Sequence, residues 1–491
     1  MESSSKPFLS LDIGAGSGRA FLGFINKEDF RIEEVHRFKN KPILLHGSLY
    51  WDLLFIWENI LEALRKCAGW GNGELAGIGV DTWNLDFGLI DKNGMLLGNP
   101  ISYRDQGNAE ILSYFKDVIE EDELYRITGF GFSMISGLSR LLQLKKSGRN
   151  WLLDKAATYL PISDLLRFFL TGTSQAEATI LWGSQLIDIR TRKWNEKLIK
   201  LFQIPTHILP EIVAPGTVTG NLTLEIQKHS GVNAVPVVAV AGHDTISAFA
   251  AFCTEDRNTA FLSVGTWSIL GVLVRDPITN QEVMKGGFMN EIAVDSILLA
   301  KNMMGFYFLE ALIRIWSLRG IDCSWESLIM RASHSPEFTL IIDVNDSVFF
   351  SSANMEDTLN EYLRETRQEL TNDSGVLSRS IFESLAFSYR DAISDFERQV
   401  RINILSIVIL GGGTKNRLLC QMIADAANIQ VVTGPSEASV IGNLGLQALA
   451  TGALNSMDNF HKLVQMSYSA KNYFPKESEK WEVAAAKRRS R

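Results

Sequence analysis

Asp12 and Asp244 each close an apolar run, and each stands beside glycine. Transfer of a phosphoryl group from ATP needs a held metal, donors around the transferring oxygens, and a group that orients the acceptor hydroxyl. Asp12 precedes Gly14, Gly16 and Gly18. A glycine turn gathers backbone N–H groups that can hold phosphate oxygens, and the carboxylate beside it can face Mg²⁺ directly or through water. The same acid also reads as a simple strand-end cap. Asp244 lies in Ala241-Gly-His-Asp-Thr245. It suits a general base for the acceptor's proton, and equally a cap for the helix that follows. His243 reads as a donor to the acceptor or as a ring satisfying a backbone carbonyl. Thr266, after Gly265, is a phosphate donor or an ordinary turn residue. Gly411 to Gly413 suit a flat ligand such as adenine or ribose, or only a tight strand-to-helix connection. There is no serine triad and no zinc set, and the seven histidines are scattered.

The elements that must position these groups are legible in outline. Phe8 to Asp12 is an apolar strand, and Ala20 to Ile25 returns as a second after the glycines. A strand rather than a helix follows, so this is not the dinucleotide fingerprint, and the lysine of the nucleoside-triphosphate loop is missing. Asp52 to Cys67 has helical periodicity. Leu75 to Val80 reads as a buried strand delivering Asp81, Trp83 and Asn84 to its carboxyl end, where open α/β sheets place ligands. Leu138 to Lys145 and Leu160 to Leu170 read as helices, and Val235 to Val240 as the strand before Asp244. Ala260 to Val264, Gly265-Thr266 and a strand leaving from Ile269 repeat the strand–turn–strand plan of the N-terminus. Ile404 to Leu410 is a further strand, Ser380 to Gln399 a long helix, and Asn416 to Asn428 another. The repeat implies two related α/β domains, 1–248 and 249–475, with a tail at 476–491, each domain offering one turn to a shared cleft.

The 491 residues leave room for two cores. A 46% hydrophobic, 21% charged composition is that of a globular protein, and a net charge of -8 opposes electrostatic capture of nucleic acid. Cys67, Cys253, Cys323 and Cys420 are too sparse for a disulfide scaffold and lack metal-ligand spacing, so free thiols in a reducing compartment are expected. Met1 to Phe8 lacks a signal-peptide pattern, and no apolar run has the ~18 residues of a membrane span. The expectation is a cytoplasmic protein with no nucleic-acid or membrane partner. A homodimer is compatible with the sequence, which carries no interface signature.

Taken in order, these segments resemble the FGGY carbohydrate kinases from about Leu9 to Tyr473. The likeness rests on LDIGAGSGRA at 11–20, IGVDTWNLDFGLID at 78–91, YRD at 103–105, PVVAVAGHDTISA at 236–248 and LSVGTWSILG at 262–271. It continues through NE at 290–291, KNMMG at 301–305, ILGGGTKN at 409–416 and GPSEASVIGNLGLQALA at 434–450. It implies two actin-like, ribonuclease-H-like domains with ATP and a sugar meeting between them. Within the family the likeness is to members that make L-rhamnulose 1-phosphate from L-rhamnulose with ATP and Mg²⁺. It implies Asp244 as catalytic base, His243, Thr245 and Asn302 as sugar contacts, and Asp12 near the metal. ATP is implied at Gly14, Ala15, Gly16, Ser17, Gly18, Thr266 and Gly412.

Departures gather near the implied sugar pocket. Asn84 stands where that branch has glycine, Ile135-Ser-Gly137 replaces a phenylalanine-asparagine-threonine stretch, and Leu181-Trp-Gly-Ser184 replaces a threonine-rich segment. On the nucleotide side Glu310 stands for an ATP-contacting glutamine, exchanging an amide for a charge. The departures leave open another ketose or polyol, such as L-fuculose, ribulose or xylulose, and also a nucleotide-dependent sugar-binding protein without turnover.

Overall fold

A computed structural model of the chain describes residues 6–26, 29–105, 109–252, 258–349, 352 and 354–489. Cys253, the first five residues and the last two of the basic end lie outside them.

The N-terminal sheet is built from β1 (Phe8–Ile13), β2 (Ser17–Ile25), β3 (Phe30–Lys39), β4 (Gly77–Thr82), β5 (Thr217–Asn221) and β6 (Pro236–Ala239), in the order β5-β6-β4-β1-β2-β3. The first three strands form an antiparallel meander, and β4 and β6 lie parallel to β1 and to each other. The second sheet comprises β7 (Thr259–Val264), β8 (Trp267–Val274), β9 (Phe288–Ile292), β10 (Ile297–Met304), β11 (Ser406–Leu410), β12 (Gln430–Thr433) and β13 (Asn472–Tyr473), in the order β9-β10-β8-β7-β11-β12-β13. Here β7, β8 and β10 are antiparallel, and β11 and β12 run parallel to β7. The same plan, a meander followed by parallel strands, therefore occurs twice.

Each of the four parallel pairings in these two sheets needs a crossover connection, for which helices serve. β1 and β4 are fully buried and uniformly apolar apart from Ser10, Asp12, Asp81, Thr82 and glycines, as expected for strands covered on both faces. The covering helices include α1 (Leu53–Ala68), α2 (Gly137–Lys146), α3 (Ile162–Thr171), the single turn α4 (Ala178–Leu181), α5 (Asp244–Ala250), α6 (Tyr307–Leu318), α7 (Ser374–Val400), α8 (Arg417–Ala427) and α9 (Ala438–Ala450). Asp52 caps α1 by accepting from Phe55 N, and Asn416 caps α8 by accepting from Leu419 N. Polar residues preceding apolar helices thus supply the missing acceptors of their first turns.

Several expected boundaries move. β4 runs to Thr82, so Asp81 lies inside the strand, paired with Asp12, rather than beyond its end. Leu160 and Pro161 finish a strand before α3 begins, since the ring of Pro161 crowds the residue before it and keeps Leu160 extended. α7 starts six residues before the expected Ser380, at Ser374 after its cap Asp373.

Two features join the halves. α9, from the C-terminal part of the chain, lies on the N-terminal sheet, where Gln447 Nε2 donates to Leu9 O at 3.0 Å. The segment around residues 109–208 reaches the other way: Tyr125 Oη donates to Phe288 O at 2.8 Å, and Asn290 N to Gly129 O at 2.9 Å.

Candidate active site

The β1–β2 turn places Gly14, Gly16, Ser17 and Arg19 on one wall of a cleft of about 340 Å³. Asp244, Thr245 and Ala248 of α5 form the next wall, and Ser263, Leu410, Gly411, Gly412, Ser436, Ala438 and Ser439 face them from the second half. Two of the glycines have no packing reason to be glycine. A Cβ at Gly16 would meet nothing within 4 Å, and one at Gly412 only Val264 O at 3.7 Å. Their neighbours differ: Gly411 has φ +71°, and a Cβ at Gly413 would lie 2.5 Å from Val264 Cβ. Gly18 is likewise structural, sitting in β2 beneath the Phe38 ring, while Ala15 packs toward the N-terminal core. Backbone approach is thus open at Gly16 and Gly412, on opposite sides of one cleft.

Parallel register sets Asp12 beside Asp81. Asp12 is held by Arg19 and by Ser439 Oγ at 3.0 Å, and Arg19 also pairs with Glu437. Burial alone would lower the Arg19 guanidinium's pKa, but Asp12 and Glu437 outweigh it and raise it. Asp81 is fully buried; Oδ2 accepts from Asn443 Nδ2 at 2.6 Å, while Oδ1 has no hydrogen-bond partner. Burial, then the charge of Asp12, pushes its carboxyl well above the ordinary carboxylate range, with Asp244 adding to the rise. Arg19 therefore has two carboxyl partners, Asp12 and Glu437, with Asp81 near enough to add to the rise in its pKa.

Asp244 does not cap α5. The cap position belongs to His243, with no side-chain bond, and Asp244 Oδ1 accepts from the neighbouring Thr245 N at 2.6 Å. Its side chain remains 32% exposed, enough to meet an acceptor entering the cleft. Burial raises its pKa, Asp12 adds to the rise, and His243 and Thr245 oppose it. His243 satisfies no backbone carbonyl either: Nε2 lies 3.5 Å from Asp244 Oδ1 and Nδ1 3.2 Å from Glu291 Oε2. Burial would lower the imidazole's pKa, but Glu291 and then Asp244 raise it overall. Glu291 comes from β9, so this row of three ionisable groups spans both halves.

At the second glycine turn the structure brings Thr266 and Glu310 together, Thr266 Oγ1 donating to Glu310 Oε2 at 3.0 Å. The carbonyls of Gly265 and Thr266 accept from Phe306 N and Tyr307 N at the start of α6, which fixes the second turn against that helix. Asn302 is exposed on β10. By register it shares a sheet face with Ile269 and Ser263, and Ser263 lines the cleft; Asn302 also borders a second pocket with Trp267 and Lys301. Asn84 is buried, with Oδ1 accepting from Leu85 N at 2.6 Å and Nδ2 unpartnered. A Cβ on Gly183 would lie 2.1 Å from Asn84 Oδ1, and one on Gly137 2.8 Å from Ser184 Cα. The clustered departures are therefore one packing unit, in which the amide at 84 takes the space a side chain at 183 would need. Trp182 is buried within it, stacked on Phe130 with Nε1 donating to Thr128 O.

Sequence reasoning did not single out Arg19, Glu437, Ser439 or Glu291. Arg19 had a signal, as a lone cation two residues past the Gly-Ser turn. The others lie in recognised motifs, but nothing local indicates what they touch.

The sequence profile described as the FGGY family of carbohydrate kinases, N-terminal domain, matches residues 8–253, and that of the C-terminal domain matches 260–451. The chain is 36% identical to a rhamnulokinase of Bacteroides thetaiotaomicron, over 97% of both chains. It is 34% identical to a rhamnulokinase of Oceanobacillus iheyensis, over 95% of this chain and 97% of that one. Among solved structures it resembles a ligand-bound xylulose kinase from Lactobacillus acidophilus (TM-score 0.81, 19% identity, 99% of this chain and 97% of that one). A Plasmodium falciparum glycerol kinase with ADP superposes similarly (TM-score 0.80, 19% identity, 99% and 97%).

Proposed function

The chain belongs to the FGGY family of carbohydrate kinases, and we propose that this ATP-dependent sugar kinase converts L-rhamnulose to L-rhamnulose 1-phosphate. One observation carries the choice of sugar: relatives named rhamnulokinase match nearly the whole chain at 36% and 34% identity. Fold likeness does not choose it, since xylulose and glycerol kinases share the fold.

Asp244 acts as the general base. Its carboxylate faces the cleft that Gly16 and Gly412 also line, so acceptor and phosphates share one chamber. Asp244 takes the proton from a primary hydroxyl of the ketose as the oxygen attacks the terminal phosphorus and the bond from that phosphorus to the bridging oxygen breaks, releasing ADP. His243, beside it and backed by Glu291, holds positive charge near the base and donates to the sugar with Thr245 and Asn302. Asn84 is a further sugar contact in this reading, supported by its unpartnered Nδ2. Gly14 to Ser17, Thr266 and Gly412 bind the nucleotide through their backbone and, at Ser17 and Thr266, hydroxyls, while Gly18 supports the turn from within β2. Glu310 tethers Thr266 in that reading. The domain limits 1–248 and 249–475 and a cytoplasmic location belong to the same proposal.

Mg²⁺ fits this donor set. Such an ion is bound by one or two carboxylates together with substrate phosphates, and the register of β1 and β4 sets Asp12 beside Asp81. Asp12 is the residue that would hold it, with the unpartnered Oδ1 of Asp81 alongside. Bound there, the ion would offset charge on the transferring group.

The test is ADP release from ATP and Mg²⁺ across L-rhamnulose, L-fuculose, ribulose, xylulose and a no-sugar control. Selective stimulation by L-rhamnulose is expected. Selective stimulation by another sugar would overturn the substrate and keep the kinase. ATP binding without any sugar-stimulated release would favour a binding protein.

A further inference from the structure

Immediately before the catalytic turn, the peptide of Gly242 is clamped from both sides. Its carbonyl accepts from Thr82 N at 2.8 Å, beside the bridge between Thr82 and His243. Its N–H donates to Glu177 Oε2 at 2.9 Å, from a residue 65 positions earlier. A side chain at 242 is impossible without rearrangement, since its Cβ would lie 2.5 Å from Ser163 Oγ and 2.9 Å from Ile180 Cγ2. The turn that aims Asp244 therefore has little freedom except along these two hydrogen bonds.

Glu177 is completely buried. Its Oε1 accepts from Thr179 N at 2.8 Å, and its Oε2 accepts from Thr179 Oγ1 at 2.6 Å and Ile180 N at 3.3 Å as well as from Gly242 N. Its own N–H donates to Asp164 Oδ2 at 3.0 Å, and Asp164 is paired with buried Arg167 at 2.9 Å. The bonds within 179–180 are those of a helix cap, and a shorter Asp or Ser makes them equally well. A cap has no need of the fourth bond. Only a side chain with glutamate's reach caps α4 and also grips Gly242, and a carboxylate sealed from water is costly unless such donors surround it.

We infer that Glu177 is a positioning residue for phosphoryl transfer: its carboxylate pins the Gly242 N–H and so sets the aim of Asp244, apart from its capping of α4. This rests on Asp244 as the base. An Asp at 177 retains a cap but falls about 1.5 Å short of Gly242. Small displacements of a catalytic group lower turnover steeply while leaving binding intact.

Three variants separate aim from support. Glu177→Asp is expected to keep its Tm near that of the parent, to keep KM for sugar and ATP within about twofold, and to lose about 10- to 100-fold in kcat. Glu177→Gln, which keeps the length but turns its NH₂ group toward Thr179 N–H, is expected to lower Tm yet retain at least about fivefold more kcat than Glu177→Asp. Thr179→Val removes a bond to the same oxygen without touching Gly242, and should lower Tm with kcat unchanged. Should Glu177→Asp not fold, Glu177→Ser, also a cap, takes its place. Full kcat in the short-cap variant overturns the inference, and so does kcat falling in step with Tm across all three. Asp244→Asn measured alongside keeps the two ideas apart: if it stays active the premise fails, whereas an inactive Asp244→Asn with a fully active Glu177→Asp removes only the role of Glu177.

Discussion

At the scale of single residues, the site is an acidic cluster whose members need different protonation. In the proposed mechanism Asp244 works only as the carboxylate, so Asp244→Asn should lower kcat by about 10²-fold or more while nucleotide affinity, followed by fluorescence or calorimetry, stays near that of the parent. Its raised pKa gives a signed pH dependence. The base is protonated and idle at low pH, so kcat/KM rises with pH through a midpoint above the ordinary aspartate value of about 3.9. Glu291 favours the protonated form of His243, and charged His243 in turn lowers the pKa of Asp244. Glu291→Gln therefore makes His243 neutral over more of the pH range, lets Asp244 rise further, and moves the acid limb to higher pH. A pH–rate series on the two enzymes checks this, and a limb shifted to lower pH would refute the coupling.

At the scale of elements, the aim of Asp244 depends on how α5 crosses α9. The helices touch at Gly442, where a Cβ would lie 1.8 Å from Ser247 O and 2.8 Å from Ser247 C. Backbone cannot yield as a side-chain tip can. Gly442→Ala is expected to cost about 1–3 kcal/mol, the range for overpacking a close contact, and to lower kcat as well, because the helix it displaces begins at Asp244. Thermal melts with steady-state kinetics test both effects. An alanine enzyme with unchanged Tm would mean that the crossing is looser than the geometry allows. The same α9 carries Asn443 to Asp81 and Gln447 to the β1 backbone, so it joins the acidic cluster to the sheet beneath it.

At the scale of the whole molecule, two duplicated units are useful only when they face each other across the cleft. The row Asp244–His243–Glu291 and the pair Arg19–Glu437 complete themselves across that boundary. The segment around Tyr125 and Gly129 straps one half to β9. Closing such a cleft excludes water from the reaction. Tyr125→Phe keeps the ring and deletes two hydrogen bonds between the halves, leaving Phe288 O unsatisfied. Losing about 1 kcal/mol of closure should raise both KM values about fivefold, with a smaller change in kcat, because the closed complex reacts normally once formed. Equal KM values in the two enzymes would show that the strap does not contribute to closure.

The amino-acid order alone determined the parts whose physics is local. Apolar runs ending in Asp12 and before Asp244, the turn glycines, and the capping residues Asp52 and Asn416 impose their conformations over a few residues, and the repeated strand–turn–strand signal foretold the duplicated fold. Local pattern also left Asp244 and His243 undecided, because a cap and a base look alike from either side in sequence. Tertiary structure removed the capping and backbone-carbonyl readings, placing Asp244 inside its helix rather than before it and His243 between two carboxyl groups. It decided as well which glycines are there for packing, at Gly18 and Gly413, and which leave backbone open, at Gly16 and Gly412. The partners Arg19–Glu437, Asp12–Ser439 and Glu177–Gly242 are separated by 418, 427 and 65 residues. No propensity or periodicity acts over such separations; these contacts exist because two sheets and the helices between them dock in one arrangement.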